Sequence, residues 1–175
     1  MKGTPSKSIG LVGFMGTGKT TIGKALAESL GWVFVDTDDI IEERTGKSIS
    51  EIFSNDGEES FRRLEAEVVR EVCNLESSVI SFGGGALLDH SNLEMITRST
   101  TVVLLRSSAE TVISRSSSLN TRPLLNKSGS RLEDRVNLMM AERESSYSEA
   151  MEIEIDTDVL CIEEAVNGII RGLGL

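Results

Sequence analysis

The sequence is poor in the residues that build metal centres and disulfide frameworks, with two cysteines and one histidine among 175 residues. Cys73 and Cys161 show no CxxC spacing, and His90 cannot complete a zinc site with them without further ligands. Both cysteines are expected as small apolar core residues. Positive charge is scarce too: 18 Lys and Arg stand against 28 Asp and Glu, a net charge of -10. Such a chain repels the phosphate backbone of nucleic acid and anionic lipid head groups, so neither is expected as a partner. An anionic ligand would need the few basic residues gathered at one site. No apolar run approaches the roughly 20 residues that span a bilayer, and Met1 to Ser8 hold no long apolar segment of the signal-peptide kind. The expectation is a cytoplasmic protein, or a plastid-stromal one after processing. There is no internal repeat, low-complexity tract or linker.

What is present is a chain of ordinary globular composition, 39% hydrophobic and 26% charged, long enough for one domain over residues 1–175. Ser8 to Val12 is a short apolar run ending at Gly13, and beyond Lys19 the residues Ile22, Ala25, Leu26 and Leu30 fall at helical spacing. Gly31 sits where a helix is capped, and Trp32 to Val35 is a second short run, which makes a βαβ unit. Short helices are predicted over Asp38 to Thr45 and from Ser50, then a longer one carrying Phe61, Leu64, Val68 and Val72 on one stripe. Val79 to Phe82 and Val102 to Leu105 read as buried parallel strands around a helix near Asn92 to Thr97. A helix over Ala109 to Ser114 precedes a polar stretch, Ser116 to Ser130, read as a mobile surface loop. A polar helix (Arg131 to Tyr147), an edge-type strand (Glu152 to Asp156) and a final amphipathic helix through Ile162, Val166 and Ile169 complete an α/β layered pattern with five strands.

Chemistry enters at Gly13-Phe14-Met15-Gly16-Thr17-Gly18-Lys19-Thr20, a full GxxxxGK[ST] string between a predicted strand and a predicted helix. Backbone N–H groups of such a loop cradle phosphates, and glycines allow the close approach. Lys19 would reach the β- and γ-phosphates and Thr20 would be a magnesium ligand, with Gly16, Thr17, Gly18 and Thr21 completing the nucleotide contacts. Asp36-Thr37-Asp38 follows the second strand at the sheet edge where ligands bind. One reading makes Asp38 a helix N-cap; the other supplies a carboxylate near the metal and another near an attacking hydroxyl. Gly83-Gly84-Gly85 follows the third strand, and three glycines in a row point to close approach of a ligand. Arg62 and Glu65 lie i, i+3 on one helix, where the carboxylate either holds the guanidinium for a ligand or forms an exposed ion pair. Arg115, Arg122 and Arg143, in or near the polar loop and the next helix, are the local concentration of positive charge that an anionic ligand requires.

Taken together, GFMGTGKTTIGK, DTD, TGKSISEIF with GEESFRRLE, SFGGGA, TRPLL and RESSY resemble the shikimate kinase family in order and spacing almost from end to end. Gluconate kinases and small nucleotide kinases share the first of these strings but not the set. The resemblance implies that Asp38 binds the hydroxyls of shikimate and activates one of them, and that Asp36 reaches magnesium through water. It implies that Arg62 and Arg143 clamp the shikimate carboxylate, that the Gly83, Gly84 and Gly85 turn contacts the substrate, and that Arg122 closes onto the ATP phosphates. Arg115 matches the residue beside the adenine. Phe53 and Phe61 match apolar walls of the pocket, although periodicity alone makes them core. Asp156 to Cys161 lacks the proline often seen in the family's adenine loop, and Glu-Ser-Ser after Arg143 is more polar than the family's usual residues.

The expected architecture is a P-loop NTPase-type three-layer α/β sandwich with a central five-stranded parallel sheet, nucleoside-monophosphate-kinase-like. A substrate-binding insertion is expected at about residues 37–66 and a lid at about 115–129. The expected reaction consumes ATP and shikimate with Mg2+ and yields ADP and shikimate 3-phosphate in the chorismate pathway, catalysed by a monomer. The alternatives are a gluconate kinase-like enzyme, another small-metabolite kinase, or a kinase-like binding protein without turnover.

Overall fold

A computed structural model of the protein describes residues 7–115 and 131–174. Its strands are β1 (Ser8–Val12), β2 (Val33–Asp36), β3 (Ser78–Ser81), β4 (Thr100–Arg106) and β5 (Ile153–Asp156). They form one sheet in the order β2-β3-β1-β4-β5, with every neighbouring pair parallel. The helices are α1 (Lys19–Leu30), α2 (Thr37–Thr45), α3 (Ile49–Asn55), α4 (Glu58–Val72), α5 (His90–Ser99), α6 (Ala109–Arg115), α7 (Leu132–Ala150) and α8 (Ile162–Gly172).

The three layers follow from side-chain parity along the inner strands. Ile9, Leu11, Val79, Val103 and Leu105 point to one face and pack with Ile22 and Leu26 of α1 and Ile169 of α8. Val12, Ile80, Val102 and Leu104 point to the other and pack with Val68 and Val72 of α4, Ile96 of α5 and Tyr147 of α7. Strands buried on both faces need apolar residues at every position, which is why these runs do not alternate. At the edge, β5 does alternate, and Ile155 is its one buried residue.

Because all strands run the same way, their C-terminal ends share one rim. The chain leaves β1 toward β2 on one side and later crosses to β4 on the other, so a crevice opens above β1. The phosphate loop after β1, Asp36 and Asp38 after β2 and the triple glycine after β3 all lie on that rim.

Several expectations are corrected. Asp36, not Asp38, is the N-cap of α2, its carboxylate accepting the Asp38 backbone N–H at 3.0 Å. On α4 the buried stripe passes through Glu65 and not Leu64, which is half-buried at its margin. Cys161 is exposed at the start of α8 instead of in the core; its N–H donates to Glu164 at 2.8 Å and completes a capping box. Cys73 is half-buried, and burial pushes its thiol up to about 11. Helix α4 continues past residue 66 to Val72, so the insertion joins the sheet-packing layer without a break. Residues 116–130, including Arg122 and nearly all of the expected lid, lie outside the described residues. Among the described residues, no helix is long and apolar enough to cross a membrane.

Candidate active site

The loop after β1 owes its shape to glycines: Gly13, Gly16 and Gly18 have φ of 142°, 79° and 93°, a region that residues with a Cβ rarely occupy. A Cβ on Gly13 would also lie 2.4 Å from the Leu105 carbonyl oxygen. Helix α1 starts directly after this loop with no side-chain cap and no acidic residue in its first turn. By contrast, α2, α4, α7 and α8 all carry Asp or Glu there. The exposed N–H groups and positive end of α1 are therefore left for an anion. Lys19 folds across the loop, its Nζ donating to the carbonyls of Gly13 at 2.8 Å and Phe14 at 3.0 Å. Thr17 is buried and its hydroxyl donates to the Phe14 carbonyl at 2.8 Å. Thr20 donates its hydroxyl proton to Asp36 Oδ2 at 2.9 Å.

Lys19, Thr20, Thr21, Asp36 and Arg115 line a cavity of about 320 Å³ above the loop, together with Gly16 and Gly18. Arg115 is tethered to the turn after β5, donating to Thr157 Oγ1 at 3.2 Å and to the Thr157 carbonyl. In the same turn, the Asp158 carboxylate accepts the Ser108 N–H, and that bond, opposing the cost of partial burial, holds it below the usual carboxylate range.

A second pocket adjoins the first, and the two share Met15, Asp38 and Gly84. Its charged lining is Asp38, Arg62, Glu65 and Arg143, and its apolar wall includes Ile49, Phe53 and Phe61. The two phenyl rings are paired at 4.8 Å, and Phe61 both lines this pocket and belongs to the core. Arg62 donates to Glu65 at 2.6 Å and to Glu58 at 3.1 Å. Glu65 is 1% exposed and Arg143 is 4% exposed, both far below what is usual for charged side chains.

The triple glycine is explained by these side chains. A Cβ on Gly83 would fall 2.7 Å from Glu65 Oε1 and 2.9 Å from Asp38 Oδ1, and one on Gly85 would fall 2.8 Å from Arg62 Nη1. The turn lacks side chains because charged groups occupy that space. Thr37 fixes one end by accepting the Gly83 N–H at 3.0 Å, and Tyr147 fixes the middle by donating to the Gly84 carbonyl at 2.7 Å. Burial pushes the Tyr147 hydroxyl up to about 12, so it stays a donor.

Burial raises the Glu65 pKa, the Arg62 guanidinium opposes that rise, Asp38 adds to it and Arg143 subtracts from it. Glu65 thus lies between two cations and another carboxylate. Nε and Nη1 of Arg143 are buried and make no hydrogen bond among the described residues. A guanidinium in that state is costly alone and suited to a bidentate anion.

A family model described as "SKI: Shikimate kinase" matches residues 15–173. The chain belongs to the shikimate kinase family. It is 39% identical over 165 residues to a shikimate kinase of Caldanaerobacter subterraneus subsp. tengcongensis, covering 94% of this chain and 95% of that one. A solved structure of shikimate kinase from Acinetobacter baumannii in complex with shikimate superposes with a TM-score of 0.91 at 33% identity, covering 96% of this chain and 93% of that one. A gluconokinase from Sinorhizobium meliloti reaches a TM-score of 0.60 at 20% identity over 97% of this chain and 92% of that one, a likeness of fold alone.

The fold therefore gathers the family's motif residues Lys19, Thr20, Asp36, Asp38, Arg62, Gly83, Gly84, Gly85, Arg115 and Arg143 at one rim. Sequence reasoning missed Met15 and Tyr147, and it left Glu65 open between holding Arg62 and forming an exposed ion pair. Met15 lines both pockets. Glu65 is a full member of the site, and the signal was present: it stands four residues after Phe61 and three before Val68, within the buried stripe. Tyr147 lies four residues after Arg143, and with Val136 and Ala150 the two mark the buried face of α7, a helix whose overall polarity masked that face.

Proposed function

We propose that this shikimate kinase family member transfers the γ-phosphate of ATP to the 3-hydroxyl of shikimate, giving ADP and shikimate 3-phosphate. One observation carries the reading: Asp38 stands in the wall common to the two pockets, between the phosphate loop and the pocket holding Arg143. A carboxylate at that junction is placed to accept a proton from a hydroxyl as that oxygen attacks phosphorus. Arg143 and Arg62 hold the acceptor's carboxylate, and the Gly83 to Gly85 turn and the phenyl pair receive its ring. Gly16, Thr17, Gly18, Lys19, Thr20 and Thr21 hold the phosphates, with Arg115 toward the base and Arg122, outside the described residues, contributing a further cation.

Thr20 and Asp36 fit Mg2+. Their hard oxygens lie 2.9 Å apart at the loop, and among the described residues no cluster of three or more His, Cys, Asp or Glu offers a closed cage. That matches a cation that keeps waters and borrows phosphate oxygens. When bound, Mg2+ supplies charge neutralisation at the phosphates. Asp36 already accepts two hydrogen bonds, which fixes its carboxylate for contact through water. No residue of the site suggests a phosphoenzyme, so transfer is direct, with positioning and electrostatics doing the catalysis. Action as a cytoplasmic monomer on small molecules is part of the same proposal.

An ADP-release assay with shikimate, gluconate and nucleoside monophosphates tests it. Turnover with shikimate is expected; turnover with gluconate or a nucleoside monophosphate and none with shikimate would replace the reading.

A further inference from the structure

Arg143 is held in an unusual way for a buried cation. Its guanidinium carbon lies 4.9 Å from the ring centroid of Phe14, while Nε and Nη1 make no hydrogen bond among the described residues. A planar guanidinium on an aromatic face keeps its edge N–H groups directed away from the ring, where an anion can take two of them at once. Phe14 itself is 2% exposed and is the second residue of the phosphate loop.

The ring is well anchored. It packs against Val112 of α6 and Val136 of α7. Its backbone carbonyl accepts from Lys19 Nζ at 3.0 Å and from the Thr17 hydroxyl at 2.8 Å. One residue therefore has its main chain on the nucleotide side and its side chain under the acceptor clamp. A cavity of about 50 Å³ between β4 and α7 adjoins the ring, lined in part by Met140, Glu144 and Tyr147.

We propose that Phe14 is a positioning residue for the acceptor: its ring face sets the plane of the Arg143 guanidinium so that two N–H groups meet the acceptor's carboxylate together. The phosphate loop would thus help decide acceptor affinity through a residue that touches neither substrate. The inference rests on the assignment of Arg143 to the shikimate carboxylate.

Two replacements at position 14 test it. Pentafluorophenylalanine keeps the ring's shape while reversing the charge distribution over its face; Phe14→Leu removes the face at similar volume. Each should raise KM for shikimate about three- to thirtyfold, the range of a partly desolvated cation–aromatic contact. KM for ATP should stay within twofold, and Phe14→Tyr should recover most of the shikimate affinity. The fluorinated protein should melt within a degree or two of the natural one, which separates this role from simple packing. Unchanged shikimate KM with pentafluorophenylalanine overturns the inference, as does an equal rise in both KM values. If the unsubstituted protein binds no shikimate, the functional reading itself fails; if it binds shikimate and the ring chemistry is without effect, only the role of Phe14 falls.

Discussion

Replacing Arg143 with Met should make the free protein more stable while it loses its acceptor. Arg143 is 4% exposed and leaves two donor nitrogens, Nε and Nη1, without a hydrogen bond among the described residues. Each unsatisfied buried donor costs about 1–3 kcal/mol. Against that stand the contact with the Phe14 ring, worth up to about 2 kcal/mol, and the attraction to Glu65, whose carboxyl Arg143 pulls down. Methionine fills a similar volume and needs no partner. The net gain is about 1 kcal/mol, which for a chain of this size is roughly 2–4 °C in Tm. The cost appears on binding. Two charge-assisted hydrogen bonds at about 1.5–3 kcal/mol each are lost, so KM for shikimate should rise by about two to four orders of magnitude with KM for ATP little changed. Differential scanning calorimetry without ligand and steady-state ADP release give both numbers. A Tm lowered by several degrees together with an unchanged shikimate KM would refute the reasoning and make Arg143 a structural residue.

Further outcomes follow from the other groups at the rim. Lys19→Ala should lower kcat by at least two orders of magnitude, because backbone N–H groups alone cannot neutralise the transferred phosphate; a kcat within a few-fold of the natural protein would remove Lys19 from that role. Asp38→Asn should keep ATP affinity in calorimetry while losing turnover, since an amide is a far weaker proton acceptor than a carboxylate; loss of ATP affinity would move Asp38 to the nucleotide or metal side. For Glu65 the folded pKa lies above its ordinary 4.5 because burial dominates, so its ionisation weakens the fold as pH rises through the raised value. The Tm advantage of the natural protein over Glu65→Gln should therefore be largest in acid and shrink toward neutrality, and a difference that widens with pH would contradict the burial argument.

Much of this was legible in the sequence because one kind of signal was dense. Glycine spacing, apolar runs and their order fixed the strands, the phosphate loop and the rim to which the motifs belong. The strand order was not readable, since Val79 to Phe82 and Val102 to Leu105 look alike and pairing depends on crossovers that no local pattern encodes. What local pattern did not show shares a physical cause: a polar residue on a buried face. Glu65 and Arg143 each carry the chemistry of a surface residue in a buried position, so residue type alone does not reveal their burial. The triple glycine was read as a place where a ligand approaches closely; the groups that approach it in the protein are Asp38, Glu65 and Arg62. Cys161 erred in the opposite direction: its apolar character suggested the core, while its position just before α8 made it a cap.

The central claim is that the two adjoining pockets join one phosphoryl donor to one hydroxyl acceptor across Asp38. Phosphorus NMR of the protein with ATP, Mg2+ and shikimate tests this most directly. The account predicts that the γ-phosphate signal of ATP is replaced by a phosphomonoester signal coupled to the ring proton at C3 of shikimate. Appearance of inorganic phosphate alone, or of no new signal, would contradict it.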